Sequence, residues 1–289
     1  MIDTPFFRTH PADLPPGEIR FAEALRTLQG MRSILSAAGR AELEGARAAY
    51  AEKGPADLSR LLEQVRLGPT KPGSYTFTLR VSATPEDQAS LLGGEPLSRR
   101  TLKQLFRAAS AAQTAAAAVR RTHDYSAFDD TIGNGVSANL CRGLSDLAGL
   151  RRRQPFEIGF RWARAAAANP PTQTIAFPEG AGTLMAAAAT QLEHLAAGGA
   201  VRITGMIESL HDDPPGDDRW RIRVRGQLTA DNGELDPRRS LWIRLDARSY
   251  EAALDAHRLH RPVRAEGNLQ LVRRRVELLP SENGFQTLD

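Results

Sequence analysis

The stretch RWRIRVR, residues 219–225, carries four arginines at alternate positions and an apolar residue at each position between them. Side chains of a β-strand point alternately to its two faces, so this stretch predicts a strand with an arginine row on one face and an apolar row on the other. The stretch LWIRL, residues 241–245, alternates in the same way and leaves Trp242 and Arg244 outward. We expect two neighbouring strands with an apolar inner face and an arginine-rich outer face.

The chain around these two stretches predicts a barrel. The expected strands are residues 201–210, 219–227, 240–247, 262–269 and 271–279, with a helix at 248–258. Five strands with a helix between the third and the fourth is the element order of the OB-fold, which this C-terminal region resembles. Gly205, inside the first strand, suits the sharp bend of such a barrel. The side chains expected inside it are Val201, Ile203, Ile222, Val224, Leu241, Ile243 and Val276.

The resemblance implies a position for a ligand. The two stretches would be the second and third strands of an OB-fold, whose outer face commonly binds single-stranded nucleic acid. Guanidinium groups would contact phosphates, and an aromatic ring would stack on a base. The candidate residues are Arg219, Arg221, Arg223, Arg225, Trp242, Arg244, Arg273 and Arg275. The same pattern also suits an arginine face that is only solvated, or one that meets an acidic protein partner.

The charge of this region leaves both interpretations open. Residues 200–289 hold fifteen arginines and fifteen acidic residues, so the region has no net charge. The acidic residues concentrate in two expected loops, 211–218 and 231–236, whereas the arginines lie along the strands. Because binding depends on the local potential more than on net charge, segregated charges still allow a basic surface.

The first two thirds of the chain mix helices with short strands. Helical spacing of apolar residues predicts helices over 18–53 and 55–67, and the turn-rich stretch 68–73 precedes an alternating strand at 74–82. Further helices are expected at 98–121, 137–149 and 184–197, and further strands at 156–162 and 172–178. The predicted fold class is α+β, with a helical region at 1–68, a small α/β sandwich at 69–198 and an OB-like barrel at 199–289.

Composition restricts the class of protein. Hydrophobic residues make up 41% and charged residues 25% of the chain, as in an ordinary globular protein. No stretch approaches the ~18 consecutive apolar residues of a membrane span, and the N-terminus has no apolar run, so we expect a cytoplasmic protein without membrane contact. Cys141 is the only cysteine, which excludes an internal disulfide and a cysteine-based metal cage. We expect it to be buried in a helix.

The basic residues are almost all arginine. Of the 38 basic residues only Lys53, Lys71 and Lys103 are lysine, and the net charge is +4. With the abundant alanine, this usage is typical of a GC-rich bacterial genome. Arginine also suits phosphate binding, because its planar fork of donors matches phosphate oxygens.

Candidate catalytic residues are sparse. His123, Asp124, Asp129 and Asp130, in the stretch 123–130, with Glu157 would be a diffuse ligand set for a divalent metal ion. Gly133-Asn134-Gly135 before Ser137 is compatible with anion binding, but a turn followed by a helix cap is the expected structure. No nucleotide-binding P-loop or GxGxxG fingerprint occurs. We therefore expect no catalytic residue, no metal ion and no cofactor.

These observations favour a non-enzymatic protein. Its C-terminal barrel would bind nucleic acid, single-stranded DNA or RNA, and its N-terminal helical region would contact protein partners. The main alternative is an adaptor or scaffold subunit of a bacterial multiprotein assembly, in which the barrel face binds protein. A metal-dependent nuclease that uses residues 123–130 is the third possibility.

Overall fold

The protein folds as two compact units with mixed α and β structure. The computed structural model describes residues 2–10, 14, 15, 17–69, 75–82, 94–163, 174–197, 200–213, 219–230, 233–272 and 275–288, with the backbone alone at 230, 233–238, 271 and 275. One unit, here called the sheet unit, comprises Met1–Ala117 and Thr131–Leu192. The other, the barrel unit, comprises Ala118–Asp130 and Glu193–Asp289. The α+β fold class predicted from the sequence is confirmed.

The sheet unit contains a five-stranded antiparallel sheet. Its strands are β1 (Ile2–Thr9), β2 (Arg66–Leu67), β3 (Tyr75–Ser82), β4 (Phe156–Arg161) and β5 (Thr174–Phe177). They lie in the order β2-β3-β1-β4-β5, which places the first strand at the centre. The first four strands have the order of a split βαβ motif, because a helical crossover leads from β1 to β2 and leaves room for β3 between them.

Helices accompany the sheet. They are α1 (Phe21–Glu44), α2 (Ala56–Gln64), α3 (Leu97–Thr122), α4 (Ser126–Asp129), a 3₁₀ turn (Ile132–Asn134), α5 (Ala138–Leu147) and α6 (Ala181–Ala197). The end of α3 and all of α4 belong to the barrel unit. Cys141 is buried in α5, as predicted, and this burial raises the pKa of its thiol. None of the helices in the described ranges is both long enough and apolar enough to cross a membrane.

One face of the sheet is buried. Phe77, Leu79 and Val81 point inward from β3, which confirms the alternation read from the sequence. The rings of Phe156 and Phe177 stack with their centroids 4.5 Å apart across β4 and β5. Aromatic and aliphatic side chains on every second position thus form the core beneath the sheet.

The central strand β1 was not predicted. Its inward positions include Asp3 and Thr9, both buried, so the apolar alternation typical of a strand is hidden. Pro5 is also unusual inside a sheet, because proline lacks the backbone N–H of a ladder bond. The structure accommodates Asp3 through a hydrogen bond from the backbone N–H of Ala163, at 2.8 Å, and through Arg99, whose Nε lies 3.8 Å from its carboxylate. These partners are distant in sequence.

The barrel unit contains a closed five-stranded barrel. Its strands are β6 (Ala200–Asp212), β7 (Trp220–Ala230), β8 (Gly233–Arg244), β9 (Val263–Val272) and β10 (Arg275–Thr287), and α7 (Ala247–Arg258) lies between β8 and β9. The order β10-β8-β7-β6-β9 closes because β9 pairs with both β6 and β10. Only the β8–β10 pair is parallel among the described pairs. This arrangement is consistent with an OB-like fold.

The predicted interior of the barrel is confirmed. All of the side chains expected inside are buried: Val201, Ile203, Ile222, Val224, Leu241, Ile243 and Val276. The alternation of apolar and polar residues in β7 and β8 therefore predicted correctly which side chains face the core.

Pairing of β6 with β9 ends at Gly205, the residue at which the sequence predicted a bend. Gly205 is the last residue of β6 that pairs with β9, while pairing with β7 continues to Asp212. It lies opposite Gly226 of β7. A Cβ at either position would come within 2.1 Å of a carbonyl oxygen of the other strand, so the two backbones approach more closely than side chains permit. Here the two glycines allow the backbones of β6 and β7 to approach closely, at the residue where pairing with β9 ends.

The domain boundaries predicted at residues 68/69 and 198/199 stay a prediction. At the level of elements, residues 2–9 form a strand of the sheet rather than part of a helical region. Residues 118–130, expected within the α/β sandwich, belong to the barrel unit.

Candidate nucleic-acid interface

The arginines of β7 lie on the outer face of the barrel, next to the outward residues of β8. Arg221 pairs in register with Arg244, Arg223 with Trp242, and Arg225 with Ser240. Directly opposite residues of an antiparallel pair point to the same side, so these side chains form one surface. We call the residues Arg221, Arg223, Arg225, Trp242 and Arg244 the Arg/Trp face.

Trp242 lies at the centre of this face. The guanidinium carbons of Arg223 and Arg221 lie 5.7 and 6.0 Å from the centroid of its ring, within the range of a cation–π interaction. The ring of His211, on β6, packs edge-on against it with the centroids 4.8 Å apart. His211 was not among the residues predicted from the sequence, which placed it in the expected loop 211–218.

Glu208 places a carboxylate beside two of the arginines. Its oxygens lie 3.4 Å from Nη1 of Arg225 and 3.6 Å from Nε of Arg223, and the hydroxyl of Ser240 donates a hydrogen bond to it at 2.9 Å. The pairing of β6 with β7 shifts by one residue between Ile207 and Ser209, which makes Glu208 the extra residue of a β-bulge. Such a bulge redirects a side chain, and alternation along the sequence does not predict it.

Glu277 is a buried carboxylate beside the Arg/Trp face. It lies opposite Trp242 in the parallel β8–β10 pair, and its side chain is only 2% exposed. Arg244 donates to it at 2.8 and 3.2 Å, and Arg221 at 3.4 Å. Removing one partner of a buried ion pair usually costs about 3–5 kcal/mol, because the other charge is left buried. Arg221 and Arg244 therefore stabilise the barrel itself.

Asp212, the last residue of β6, and Asp213 contribute two more carboxylates. Arg219 donates to Asp212 at 2.5 and 3.0 Å, and Arg221 donates to Asp213. The hydrogen bond from Arg219 lowers the pKa of the Asp212 carboxyl from its ordinary value. The sequence predicted these acidic residues in a loop, apart from the arginines of the strand. The pairing of β6 with β7 brings the two groups together.

The surface is thus much less basic than its arginines suggest. Five arginines, from Arg219 to Arg244, face four carboxylates within 4 Å. Each of these arginines contacts at least one carboxylate. A polyanion would have to replace some of these carboxylates in order to contact the guanidinium groups.

Two of the eight predicted residues cannot be placed on this surface. Arg273 and the side chain of Arg275 lie outside the described residues. Glu277 lies two residues after Arg275 on the same strand, so both side chains point to the same side of the sheet. The alternation that selected Arg275 could therefore also have identified Glu277 as a neighbour of the face.

A buried ion pair joins α4 to β8 elsewhere in the barrel unit. Arg239, which is 1% exposed, donates to Asp129. Burial raises the pKa of the Asp129 carboxyl to about 6; the charge of Arg239 opposes the shift, and the carboxylates of Asp130 and Asp124 add to it. The contact joins residues that are 110 positions apart, and neither residue was predicted to be buried.

The stretch 123–130 does not form a metal-binding group in the part of the chain that the structure describes. Asp129 contacts Arg239, and Asp124 accepts a hydrogen bond from the backbone N–H of Ser126 at 2.9 Å. No cluster of three or more histidine, cysteine or acidic side chains suited to a metal ion occurs among the described residues. Glu157, proposed as a further ligand, pairs with Arg8 at 2.9 Å.

The glycine stretch before α5 forms a turn and a cap. Gly135 has a positive φ of 91°, and the Ser137 hydroxyl accepts a hydrogen bond from the backbone N–H of Leu140 at 3.2 Å. This is the turn and N-cap expected from the sequence.

Comparison of the chain with protein-family models, with curated proteins and with solved structures found no significant match.

Proposed function

We propose that the protein binds a single strand of nucleic acid on the Arg/Trp face of its barrel and performs no chemistry on it. The observation that carries the proposal is the cross-strand row of Arg223 and Trp242, with Arg221 and Arg225 on either side. An aromatic ring for a base, flanked by guanidinium groups for phosphates, is a common way to bind single strands without sequence preference. The barrel also has the closed five-stranded form in which the OB-fold presents this face.

The carboxylates divide the arginines into two classes. Glu208 has a side chain that is 32% exposed, so solvent screens its attraction to Arg223 and Arg225, and a phosphate can replace it at small cost. Glu277 is buried and cannot leave Arg221 and Arg244 without a large penalty. The arginines expected to contact phosphates are therefore Arg223 and Arg225.

The proposal is tested with labelled single-stranded and double-stranded oligonucleotides, the full chain and a salt series, by fluorescence anisotropy. Each phosphate contact of a single strand contributes about 0.7 to the slope of log affinity against log salt, so Arg223→Gln/Arg225→Gln should flatten the slope by about 1.4. The control is Arg202→Gln/Arg258→Gln, which removes the same charge from two exposed ion pairs elsewhere in the barrel unit. It should leave the slope unchanged.

Two single variants separate stacking from charge. Trp242→Leu should weaken binding by about 1–3 kcal/mol and leave the salt slope unchanged, because stacking depends little on salt. Glu208→Gln should tighten binding, because it removes the anion that competes with phosphate for Arg223 and Arg225. Thermal melting of each variant confirms that the barrel is folded. Equal slopes for the face variant and the control would refute the proposal.

A second candidate is an adaptor whose barrel face binds a protein. The ion pairs between the arginines and carboxylates of the face favour this adaptor role. A surface with charges of both signs around one aromatic ring suits a protein partner as well as a polyanion. Absence of oligonucleotide binding at low salt would favour this adaptor role, as a subunit of a bacterial assembly. Contact of the N-terminal helical region with protein partners belongs to the same proposal.

A further inference from the structure

The outer face of the five-stranded sheet, in the sheet unit, carries a second group of arginines around an aromatic ring. Cross-strand pairs place Phe6 opposite Thr78 and Gly159, and Arg8 opposite Glu157. Thr4 lies opposite Arg161, and Arg66 lies opposite Arg80. We call this surface the open face; its side chains include those of Thr4, Phe6, Arg8, Arg66, Thr78, Arg80, Glu157, Arg161 and Thr174.

The open face has excess positive charge that the carboxylates of the described residues do not neutralise. It has four arginines and one glutamate, and Glu157 pairs with Arg8. Arg66, Arg80 and Arg161 are exposed and contact no carboxylate among the described residues. Arg66 and Arg80 are direct neighbours across two strands, an arrangement that destabilises a sheet unless an anion is present. A negatively charged ligand would remove this repulsion.

Phe6 supplies a flat surface at the centre of the open face. A Cβ at position 159 would lie 2.0 Å from Cζ of Phe6, so the ring rests in the space that Gly159 leaves free. The guanidinium carbons of Arg161 and Arg8 lie 5.3 and 5.8 Å from the ring centroid. Some RNA-recognition modules stack bases of single-stranded RNA on exposed aromatic side chains of a four-stranded sheet.

We propose that the open face binds a single strand of RNA. The excess of arginine complements the phosphates, and Phe6 with its two neighbouring guanidinium groups offers stacking surfaces for bases. The hydroxyls of Thr4, Thr78 and Thr174 lie on the same face and both donate and accept hydrogen bonds, as recognition of a ribose 2′-OH requires. The site does not depend on the Arg/Trp face of the barrel, each of whose arginines contacts a carboxylate.

The charge of the site is tested with an unstructured oligouridine and the full chain. Arg66→Gln/Arg80→Gln/Arg161→Gln should flatten the salt slope by about 2, since each phosphate contact contributes about 0.7. The matched control is Arg32→Gln/Arg47→Gln/Arg107→Gln, which removes the same charge from exposed arginines of the sheet unit outside the sheet. It should leave the slope unchanged. An equal change in both variants would show a general charge effect and would overturn the proposal.

The aromatic contact is tested with Phe6→Leu, which keeps an apolar side chain over Gly159. Loss of one stacked base should weaken RNA binding between about fivefold and about 160-fold without a change in salt slope. Circular dichroism and thermal melting establish that the sheet is intact. A folded Phe6→Leu protein with unchanged affinity would contradict the stacking role and the proposal.

Further measurements separate this site from the barrel and RNA from DNA. If RNA binding is lost in the triple variant of the open face but not in Arg223→Gln/Arg225→Gln, the result supports the open face and refutes the barrel site. If binding is lost only in Arg223→Gln/Arg225→Gln, the result overturns the proposal of the open face and supports the barrel site. Oligodeoxyuridine of the same length lacks the 2′-OH and should bind at least about threefold more weakly. Equal affinity for the two oligonucleotides would overturn the choice of RNA.

Discussion

Individual charged residues of the barrel unit have two different roles. Glu277 and Asp129 are buried, and each contacts an arginine, so these pairs stabilise the fold only while both partners are present. Glu208 and Asp212 are more exposed, so solvent screens their attraction to their arginine partners. The exposure of the paired carboxylate thus distinguishes guanidinium groups that stabilise the fold from guanidinium groups whose ion pairs are screened by solvent.

The Asp129–Arg239 pair should make the free energy of unfolding depend on pH. The pKa of Asp129 rises from 3.8 to about 6 on folding, so the folded protein binds this proton more tightly than the unfolded chain does. The contribution to stability is therefore complete below pH 3.8 and is lost as the pH rises through 6. Relative to Asp129→Asn/Arg239→Met, the wild type should lose about 1 kcal/mol of unfolding free energy between roughly pH 5 and 7.

Urea denaturation of both proteins across this pH range provides the measurement. The double variant removes both charges, so it avoids leaving Arg239 buried without a counter-charge. Parallel stability curves for the two proteins would mean that Asp129 does not titrate in this range.

Among the elements, β6 decides how the barrel closes. It pairs with β9 along its first half and with β7 along its whole length, and the change occurs at Gly205. The bulge residue Glu208, three residues later, points toward the arginines of β7. One strand thus sets both the closure of the barrel and the charge of the candidate interface.

We predict that Gly226→Ala destabilises the barrel by about 1–3 kcal/mol, the usual cost of overpacking. A Cβ at this position would lie 2.0 Å from the carbonyl oxygen of Thr204, and a backbone atom cannot yield as a flexible side chain would. Gly54→Ala is the control, because its Cβ would be at ordinary contact distance, 3.4 Å, from Leu58. Its unfolding free energy should change by less than about 0.5 kcal/mol. Similar unfolding free energies for both variants would contradict the close approach of β6 and β7.

The whole molecule presents an arginine and aromatic surface on each of its two units. The Arg/Trp face of the barrel unit is neutralised by carboxylates, whereas the open face of the sheet unit retains unpaired arginines among its described residues. The net charge of +4 does not reveal this difference, because attraction of a polyanion depends on local potential.

We further predict that the intact chain does not hydrolyse nucleic acids. Asp129 contacts Arg239, Asp124 accepts a hydrogen bond from a backbone N–H, and no group of three or more metal-ligating side chains occurs among the described residues. Labelled DNA and RNA incubated with the protein and Mg²⁺ or Mn²⁺ should remain uncut above the level of a blank. Cleavage that disappears in Asp129→Ala/Asp130→Ala would establish the nuclease alternative.

Part of this architecture was predictable because alternation is a local property. In β7 and β8 the apolar residues face the core at every second position, so the period of two identified the faces of the strands correctly. In β1 the inward positions include Asp3, Pro5 and Thr9, and the same rule failed because long-range hydrogen bonds, rather than hydrophobic burial, accommodate the polar side chains. Glu208 was missed because a bulge breaks the period.

The sequence by itself determined the α+β class, the apolar interior of the barrel and the outward arginines of residues 219–225, since each depends on neighbours along one strand. Only the tertiary structure decided which charges meet. The pairing of strands brings Glu208 and Glu277 to the Arg/Trp face and leaves Arg66 beside Arg80 without a carboxylate in the described ranges. Side-chain neighbours across strands depend on register, bulges and closure, and these are set by contacts between residues far apart in the chain.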